Sequence, residues 1–264
     1  MPYAILRFQK RKAGSVAACE RHNERKKEAY KSNPDIDMER SRENYHLVSP
    51  PRYTYKKEIN RKTGAAGCRV RRDSVMLVET LITASPEFMN SLPPAEQRAY
   101  FAAALDFVSG RVGKQNIISA VVHMDEKTPH MHLCFVPITK EGKLSAKTML
   151  GNQKSLSEWQ TAYHAHMSAR WPELERGESS MITRRKHIPT WLFKLGGRLD
   201  KQHDEIVKAL SDINAFNAGK KRDKALALLS AWLPDMERFS REIQKQSDYI
   251  NSLKQRVSQS EQYA

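Results

Sequence analysis

The sequence has 264 residues, 39% of them hydrophobic, which is enough for one large domain or for one domain with an appendage. A formal net charge of +15 indicates a polyanionic partner, either nucleic acid or an acidic membrane surface, and residues 1–74 hold most of it, with 19 Lys and Arg against 9 Asp and Glu. Residues 1–12 contain no apolar signal segment, no apolar run approaches the ~20 residues of a membrane span, and the three scattered cysteines are typical of reduced thiols, so we expect a cytoplasmic protein without a membrane span.

The first quarter of the chain predicts a strand, a helix and a long irregular segment. Residues 3–8 predict a short strand, and residues 15–30 predict a helix rich in Ala, Glu, Lys and Arg. The helix is expected to end before Pro34, because the residue that precedes a proline disfavours the helical region. Residues 32–74 are expected to be mostly irregular.

Strands and helices alternate in the middle of the chain. The β-branched segment 75–83 is the clearest strand. The other predicted elements are strands over 116–122 and 130–138, a helix from Pro93-Pro94 to about Val112, and a helix from a capping box at Ser155–Glu158 to Trp171-Pro172. We therefore expect an α+β domain with a mainly antiparallel sheet and helices on one or both faces.

The last part of the chain, residues 190–263, has a helical pattern. Eight positions from Trp232 to Val257 repeat at alternating spacings of four and three, which is a heptad seam with one polar member. We predict two long helices broken near Ala218-Gly219, with Pro234 as a candidate kink. Two interpretations stay open: a helical hairpin that docks on the domain, or a coiled coil for dimerisation or partner binding.

Three histidines within ten residues form the most informative motif. His130 and His132 are two apart on a predicted strand, so both rings face one side, and a hairpin would bring His123 beside them. Three neutral imidazoles can bind one divalent transition metal and leave positions open for a substrate. Asp125 is expected to serve turn chemistry or to lie on a solvated loop face, whereas Glu126 could orient a neighbour or act as a general base.

A metal beside a basic surface indicates phosphodiester chemistry. A metal ion on a non-bridging oxygen acts as a Lewis acid and neutralises the charge that builds on the phosphate. One further group must attack phosphorus, and activated water, tyrosine and histidine all remain candidates. His22 precedes Arg25 by three residues, so on a helix both side chains reach one face.

The histidine motif also carries a resemblance to a known family. Residues 123–132, HMDEKTPHMH, resemble the third motif, HxDExTPHxH, of the MobV-type (Pre/Mob) plasmid relaxases, which belong to the HUH endonucleases. Residues 21–25 (RHNER) resemble the N-terminal motif of the family, and residues 44–47 (NYHL) resemble its NYxL motif. Residues 33–37 and 173–177 are also typical, and the similarity covers roughly residues 1–195.

The resemblance implies an enzyme that nicks one strand of DNA at a plasmid origin of transfer and later reseals it. It implies a five-stranded HUH-type sheet with the metal on its central strands, Mn²⁺ or Mg²⁺ in use, and a single-stranded or hairpin DNA partner. We assign residues 1–195 to this relaxase domain. No motif of the family covers residues 196–264, which we predict to be a helical region, with dimerisation or binding of a transfer-machinery protein as its candidate roles. Many relatives run longer at the C-terminus.

The resemblance also implies roles for single residues. His123, His130 and His132 match the metal ligands, His22 matches the nucleophile, and Glu126 matches the acid that orients or deprotonates that nucleophile. Attack by an imidazole would give a phosphoramidate, a covalent 5′-phosphate adduct.

Further matches concern the DNA. Arg25 and Arg71 match basic residues near the scissile phosphate. Tyr45 of the NYxL motif is a candidate nucleophile or a DNA contact, and its neighbour Asn44 is expected at the DNA as well.

A basic run with Tyr53 and Tyr55 interleaved is the predicted DNA-binding segment. Cations would meet phosphates and the rings would stack on bases, as in a groove that tracks a single strand. A solvated loop is the alternative. The basic residues of the run are Arg52, Lys56, Lys57, Arg61, Lys62, Arg69, Arg71 and Arg72.

Three classes of function are consistent with the sequence. The first is a strand transferase with a covalent adduct. The second is a metal-dependent nuclease that uses water. The third is a non-catalytic DNA-binding module with a structural metal.

Overall fold

The computed structural model describes residues 1–28, 30, 33, 35–177, 190–211 and 216–261. The chain divides into two compact units after Thr183, and each is described by itself. The boundary assigned at residue 195 concerns activity and stays a prediction. Among the described residues, no helix combines the length and the apolar character that a bilayer span requires.

One antiparallel sheet organises the first unit. Its strand order is β1-β3-β5-β4-β2, and each neighbouring pair is antiparallel. The strands are β1 (Ala4–Lys12), β2 (Tyr45–Val48), β3 (Val75–Ala84), β4 (Ile117–His123) and β5 (His130–Phe135). The central strands are almost entirely buried, because both faces of the sheet are covered by helices. The predicted α+β class with a five-stranded, mainly antiparallel sheet is confirmed.

Eight helices complete the described part of the chain. They are α1 (Ala13–Asn23), α2 (Tyr55–Ala65), α3 (Pro86–Ser91), α4 (Pro94–Val112), α5 (Ala146–Leu150), α6 (Gln153–Ser168), α7 (Thr190–Ser211) and α8 (Ala218–Glu261). Two short 3-10 turns lie at Arg40–Glu43 and Lys114–Asn116. Helices α3, α4, α5 and α6 cover one sheet face and form the main core, in which Tyr100, Phe101 and Tyr163 are completely buried.

Helices α1 and α2 cover part of the other face. Val16 and Cys19 of α1 and Tyr55 and Ile59 of α2 pack on the sheet in a smaller core. Because this core is small, it leaves room on the same face at the ends of β4 and β5, where the histidines lie. We call this side of the sheet the metal face.

The segment from 32 to 74 differs from the prediction, because it contains strand β2 and helix α2. The helix begins after Thr54, whose hydroxyl accepts a hydrogen bond from the Lys57 amide. Only Tyr55, Ile59 and Thr63 of α2 are buried, at a spacing of four. Because α2 has few apolar positions and many cations, its sequence shows no clear helical period.

Three predicted boundaries are also corrected. Strand β1 continues to Lys12, and α1 ends at Asn23 instead of reaching residue 30. Helix α6 begins at Gln153 and is capped by the side chain of Asn152, not by the capping box predicted at Ser155.

The second unit consists of two long helices, as predicted. The indole Nε1 of Trp232 in α8 donates to the backbone oxygen of Leu199 in α7, and Arg198 pairs with Asp235 at 2.6 Å. Pro234 lies inside α8. Residues 212–215 and 262–263 of the predicted helical region fall outside the described residues. The coiled-coil and docked-hairpin interpretations both stay predictions.

Candidate metal centre

The register of β4 and β5 brings the three motif histidines together. His123 pairs directly with His130 across the two strands, and His132 lies two residues further along β5 on the same face. The ring centroids are 5.2 Å apart for His123 and His130, 5.0 Å for His130 and His132, and 4.8 Å for His123 and His132. The strand spacing alone is therefore sufficient to make the cluster.

Helix α1 adds a fourth imidazole. Its last turn places the His22 ring 5.6 Å from the ring of His123 and 5.1 Å from that of His132, centroid to centroid. Among the described residues, none forms a hydrogen bond with the His22 ring. Both of its nitrogens are therefore open to a ligand or a substrate.

Hydrogen bonds fix which nitrogen of each buried imidazole is free. Nε2–H of His123 donates to the backbone oxygen of Asn23 at 2.8 Å, and Nδ1–H of His132 donates to Oε1 of Glu79 at 2.9 Å. Because both partners are acceptors, Nδ1 of His123 and Nε2 of His132 carry lone pairs. Both of these atoms are buried without a hydrogen-bond partner.

His130 follows the same rule. Its Nδ1–H donates to the backbone oxygen of Thr128 at 2.9 Å, so its Nε2 carries the lone pair. That atom lies 3.7 Å from Oε1 of Glu126. A buried lone pair without a donor is rare unless an ion completes it, so the donor set fits a divalent cation.

The ligand atoms fall into two overlapping groups of three. His22, His123 and His132 form one, and His123, Glu126 and His130 form the other, with all atoms of each group within 4.8 Å of one another. His123 belongs to both. Imidazole nitrogens with one carboxylate suit transition metals such as Mn or Zn.

Burial keeps the imidazoles of His22, His123 and His130 neutral. Desolvation, followed by the charges of neighbouring groups, lowers the pKa of His22 and the pKa of His130 to about 4. The same causes hold the pKa of His123 far below its usual range. A neutral ring is the form that can bind a metal or attack phosphorus.

Arg25, Asp125 and Glu126 tie the end of α1 to the β4–β5 loop. The Arg25 guanidinium donates to both carboxylate oxygens of Asp125 at 2.7 Å and to Oε1 of Glu126 at 3.0 Å. The Arg25 side chain is only 8% exposed. Its guanidinium therefore orders the loop, and the predicted contact with a scissile phosphate stays a prediction.

The expectation that Asp125 lies on a solvated loop face is wrong. Asp125 is completely buried, and it accepts hydrogen bonds from Ser41 at 2.7 Å and from Asn44 at 2.8 Å besides those from Arg25. Burial opposes its ionisation, but these donors outweigh burial and hold its pKa far below the usual range. The loop that carries Glu126 is thus anchored to the chain before β2.

Glu126 lies beside the cluster with a lowered pKa. Burial opposes its ionisation, and the charge of His130 and the hydrogen bond from Asn33 Nδ2 at 2.9 Å outweigh that effect. Among the described residues, no hydrogen bond joins Glu126 to His22. The predicted orientation of His22 by Glu126 stays a prediction.

Glu79 is a site residue that the sequence reasoning missed. It is 4% exposed and accepts from His132 through Oε1 and from Arg11 Nε, at 2.9 Å, through Oε2. Burial opposes its ionisation, yet His132 and Arg11 hold its pKa far below the usual range. The available signal was a glutamate inside the apolar strand VMLVETLIT. Because a buried carboxylate requires partners, this position indicates a paired residue.

Asn44 and Tyr45 of the NYxL motif have different surroundings. Asn44 uses its Nδ2 on Asp125 and its Oδ1 on the Met124 amide, so it supports the loop. Tyr45 pairs with Val122 and packs on the main core, with Arg98 4.0 Å from its ring. It therefore faces away from the histidines, which does not fit a nucleophile. Contacts of Asn44 and Tyr45 with DNA stay predictions.

The predicted basic run is mostly exposed, on α2 and on the loop before β3. The exposed members are Arg52, Lys56, Lys57, Arg61, Arg69, Arg71 and Arg72. Lys62 is half-buried and donates to the backbone oxygen of Gln115, and both Arg61 and Lys62 pair with Glu58. Among the described residues, no contact joins Arg71 to the histidine cluster.

The two tyrosines of the run differ. Tyr53 is 65% exposed, whereas Tyr55 is 1% exposed and donates its hydroxyl proton to Glu24. The expectation that both rings stack on bases is therefore wrong for Tyr55. Tyr55 packs in the smaller core because it lies at the first turn of α2. The sequence pattern did not predict this helix.

Comparison with known proteins settles the family. A family model described as Mob_Pre, plasmid recombination enzyme, matches residues 1–194. The chain belongs to this family. The membership predicted from the motifs, MobV-type relaxases, is confirmed, and these are enzymes of plasmid recombination and mobilisation.

Family members with similar sequences come from several bacteria. A plasmid recombination enzyme of Bacillus thuringiensis is 38% identical over 213 residues, which cover 80% of this chain and 46% of the relative. A type 2 plasmid recombination enzyme of Staphylococcus aureus is 39% identical over 217 residues, 80% of this chain and 50% of the relative. The chain thus spans about half the length of these curated relatives.

Solved structures of the family show the same fold. The MobM relaxase domain (MOBV; Mob_Pre), in a Mn-bound crystal structure with plasmid pMV158 oriT DNA, superimposes with a TM-score of 0.67 at 35% identity. The match covers 73% of this chain and 97% of that domain. A second structure of that domain, with a 26-nucleotide oriT DNA, gives a TM-score of 0.59 at 31% identity and covers 71% of this chain and 97% of that domain.

Proposed function

We propose that this chain nicks one strand of DNA at a plasmid origin of transfer and stays covalently attached to the 5′-phosphate. One observation carries the proposal: His22, whose ring forms no hydrogen bond with any described residue, faces two buried imidazoles whose lone pairs have no partner among those residues. The structure of the similar MobM domain, which contains Mn and oriT DNA, supports the metal and the DNA substrate of this proposal.

His123, His130 and His132 would hold the metal, through Nδ1 of the first and Nε2 of the other two. Mn²⁺ is the ion we expect, with Mg²⁺ or another divalent ion as the alternative. When bound, it supplies Lewis-acid stabilisation of the charge on the scissile phosphate. The protein holds each ligand ring by a hydrogen bond from its other nitrogen, which fixes the nitrogen that carries the lone pair.

Neutral His22 would be the attacking group. One of its nitrogens forms a bond to phosphorus, and the bond from phosphorus to the 3′ oxygen of the preceding nucleotide breaks. That oxygen leaves as a 3′ hydroxyl after it takes up a proton. The phosphoramidate retains the energy of the broken bond, so attack by a 3′ hydroxyl can reseal the strand and release His22.

DNA is the partner that fits the charge of the first unit. The exposed cations of α2 and of the loop before β3 would contact its backbone, in single-stranded or hairpin form. The second unit, α7 with α8, would mediate dimerisation or bind a protein of the transfer machinery.

The test is nicking of a supercoiled plasmid that carries the cognate origin, with Mn²⁺ and with a chelator. Relaxed DNA with protein that survives denaturant is the expected product, and His22→Ala should abolish both. A matched control is His166→Ala, since His166 is an exposed histidine on α6, on the opposite sheet face.

Two alternatives have distinct outcomes in the same test. Nicking that persists in His22→Ala without an adduct would identify a nuclease that uses water. Tight metal binding without any nicking would identify a non-catalytic DNA-binding module.

A further inference from the structure

Strand β1 presents an arginine on the metal face. β1 is an edge strand, and its Arg7 pairs with Leu81 of β3, which in turn pairs with His132 of β5. Directly paired residues of antiparallel strands project to the same side of a sheet. Arg7, Leu81 and His132 therefore form one row across the metal face.

The Arg7 side chain is exposed and has no partner in the part of the chain that the structure describes. Among the described residues, none forms a hydrogen bond, an ion pair or a ring contact with its side chain. Arg11, the next but one on the same face, is by contrast committed to Glu79. Arg7 is thus the free cation of β1 on the side that carries the histidines.

Two aliphatic side chains lie beside Arg7 on the metal face. Leu81 is half-buried, and so is Ile5, which neighbours Arg7 on the same face of β1. An arginine next to partly exposed aliphatic side chains provides both a phosphate ligand and a surface for a sugar or a base.

The spacing matches a nucleic-acid strand. Two steps of about 4.8 Å between strands separate Arg7 from His132, or about 10 Å in all. A stacked strand rises by about 3.4 Å of axis per nucleotide. A guanidinium at Arg7 would therefore lie within about three nucleotides of a phosphate bound at the histidine cluster.

We propose that Arg7, Ile5 and Leu81 form a subsite for the DNA strand on the β1 side of the metal centre. Arg7 binds a backbone phosphate within about three nucleotides of the scissile one, and the two aliphatic side chains pack against a sugar or a base between them. The subsite deepens the proposed function and rests on it, because it assumes that the DNA lies on the metal face. It places DNA contacts at the sheet edge opposite β2.

An edge strand has another use for charge, since exposed cations also prevent edge-to-edge association of sheets. Lys10 separates the two explanations. It lies three residues along β1, it is exposed, and it pairs with Val78 of the main core, so it projects to the opposite face. Arg7→Ala and Lys10→Ala change the net charge equally, and each removes one cation from the edge strand.

The experiment measures binding of the full chain to a single-stranded oligothymidylate over a series of salt concentrations. We expect Arg7→Ala to weaken binding about tenfold at low salt, and to reduce the slope of log affinity against log salt by about 0.7, the contribution of one phosphate contact to a single strand. Lys10→Ala should change the affinity and the salt slope by only a small fraction of the changes expected for Arg7→Ala. Arg7→Lys should keep the salt slope, because it retains the charge.

Equal losses in Arg7→Ala and Lys10→Ala would overturn the subsite, since they would show a general effect of charge. So would an unchanged slope in Arg7→Ala. Unfolding by urea in both variants shows that neither fails by misfolding. Failure of the subsite and failure of the proposed function are distinguishable. If the chain binds DNA through Arg7 but never nicks the origin, only the proposed reaction is disproved. If the Arg7→Ala variant nicks the origin normally, only the subsite is disproved.

Discussion

The carboxylate of Glu79 accepts the Nδ1 proton of His132 at 2.9 Å, and it is itself held by Arg11. Such a partner fixes the tautomer of a metal-binding imidazole and raises its basicity, and its loss typically weakens metal binding by 10- to 100-fold. We therefore expect Glu79→Gln to lower the affinity for Mn²⁺ by about that factor, as measured by titration calorimetry.

The matched control for this prediction is Glu96→Gln. Glu96 is a half-exposed glutamate of α4 that pairs with Arg170, on the opposite sheet face. Equal affinities for Glu79→Gln and Glu96→Gln would contradict the role of Glu79.

Metal binding should stabilise the fold. A ligand that binds only the native state adds about 2.7 kcal/mol to the free energy of unfolding at a concentration 100 times its dissociation constant. We expect Mn²⁺ to do so in urea unfolding of the unsubstituted chain, and a chelator to reverse the effect. His123→Ala and His132→Ala should lose this gain. A gain that survives in both variants would place the ion elsewhere.

The pair of Arg25 and Asp125 should dominate the stability of the β4–β5 loop. Asp125→Asn removes one charge from a buried ion pair, and breaking such a pair costs about 3–5 kcal/mol. The free energy of unfolding in urea should fall by roughly that amount. Asp106→Asn is the control, because Asp106 is an exposed aspartate of α4. Similar unfolding curves for the two variants would show that the pair contributes little.

Tyr53 and Tyr55 should have opposite phenotypes. Stacking of one base on an aromatic ring contributes about 1–3 kcal/mol, so Tyr53→Ala should weaken binding of single-stranded DNA without lowering stability. Tyr55→Ala removes a buried ring and should cost about 3–5 kcal/mol in urea unfolding. Fluorescence anisotropy measures the first effect. If Tyr53→Ala bound DNA normally, the basic run would not be a stacking surface.

The sequence was most informative where the structure repeats with a short period. Alternation along a strand was enough to place His130 and His132 on one face, and the strand-loop-strand pattern brought His123 beside them. His22 came close to them as the motif match implied, although no local pattern specifies where a helix ends over a sheet.

What the sequence did not predict depends on contacts between distant segments. Asp125 looked like a loop residue, because its partners Ser41 and Asn44 lie 84 and 81 residues away. The pairing of Glu79 with Arg11 joins residues 68 positions apart. Such pairs leave no periodic signal, and only the register of the sheet reveals them.

The last turn of α1 performs two tasks at once. It carries the ring of His22, and the backbone oxygen of the next residue, Asn23, receives the Nε2 proton of His123. In the proposed mechanism, a displacement of this single turn would withdraw the attacking ring and release one ligand ring from its fixed rotation in the same movement. Cutting of DNA and binding of the ion would then depend on the same turn, so a chain with a disordered first helix should lose both together.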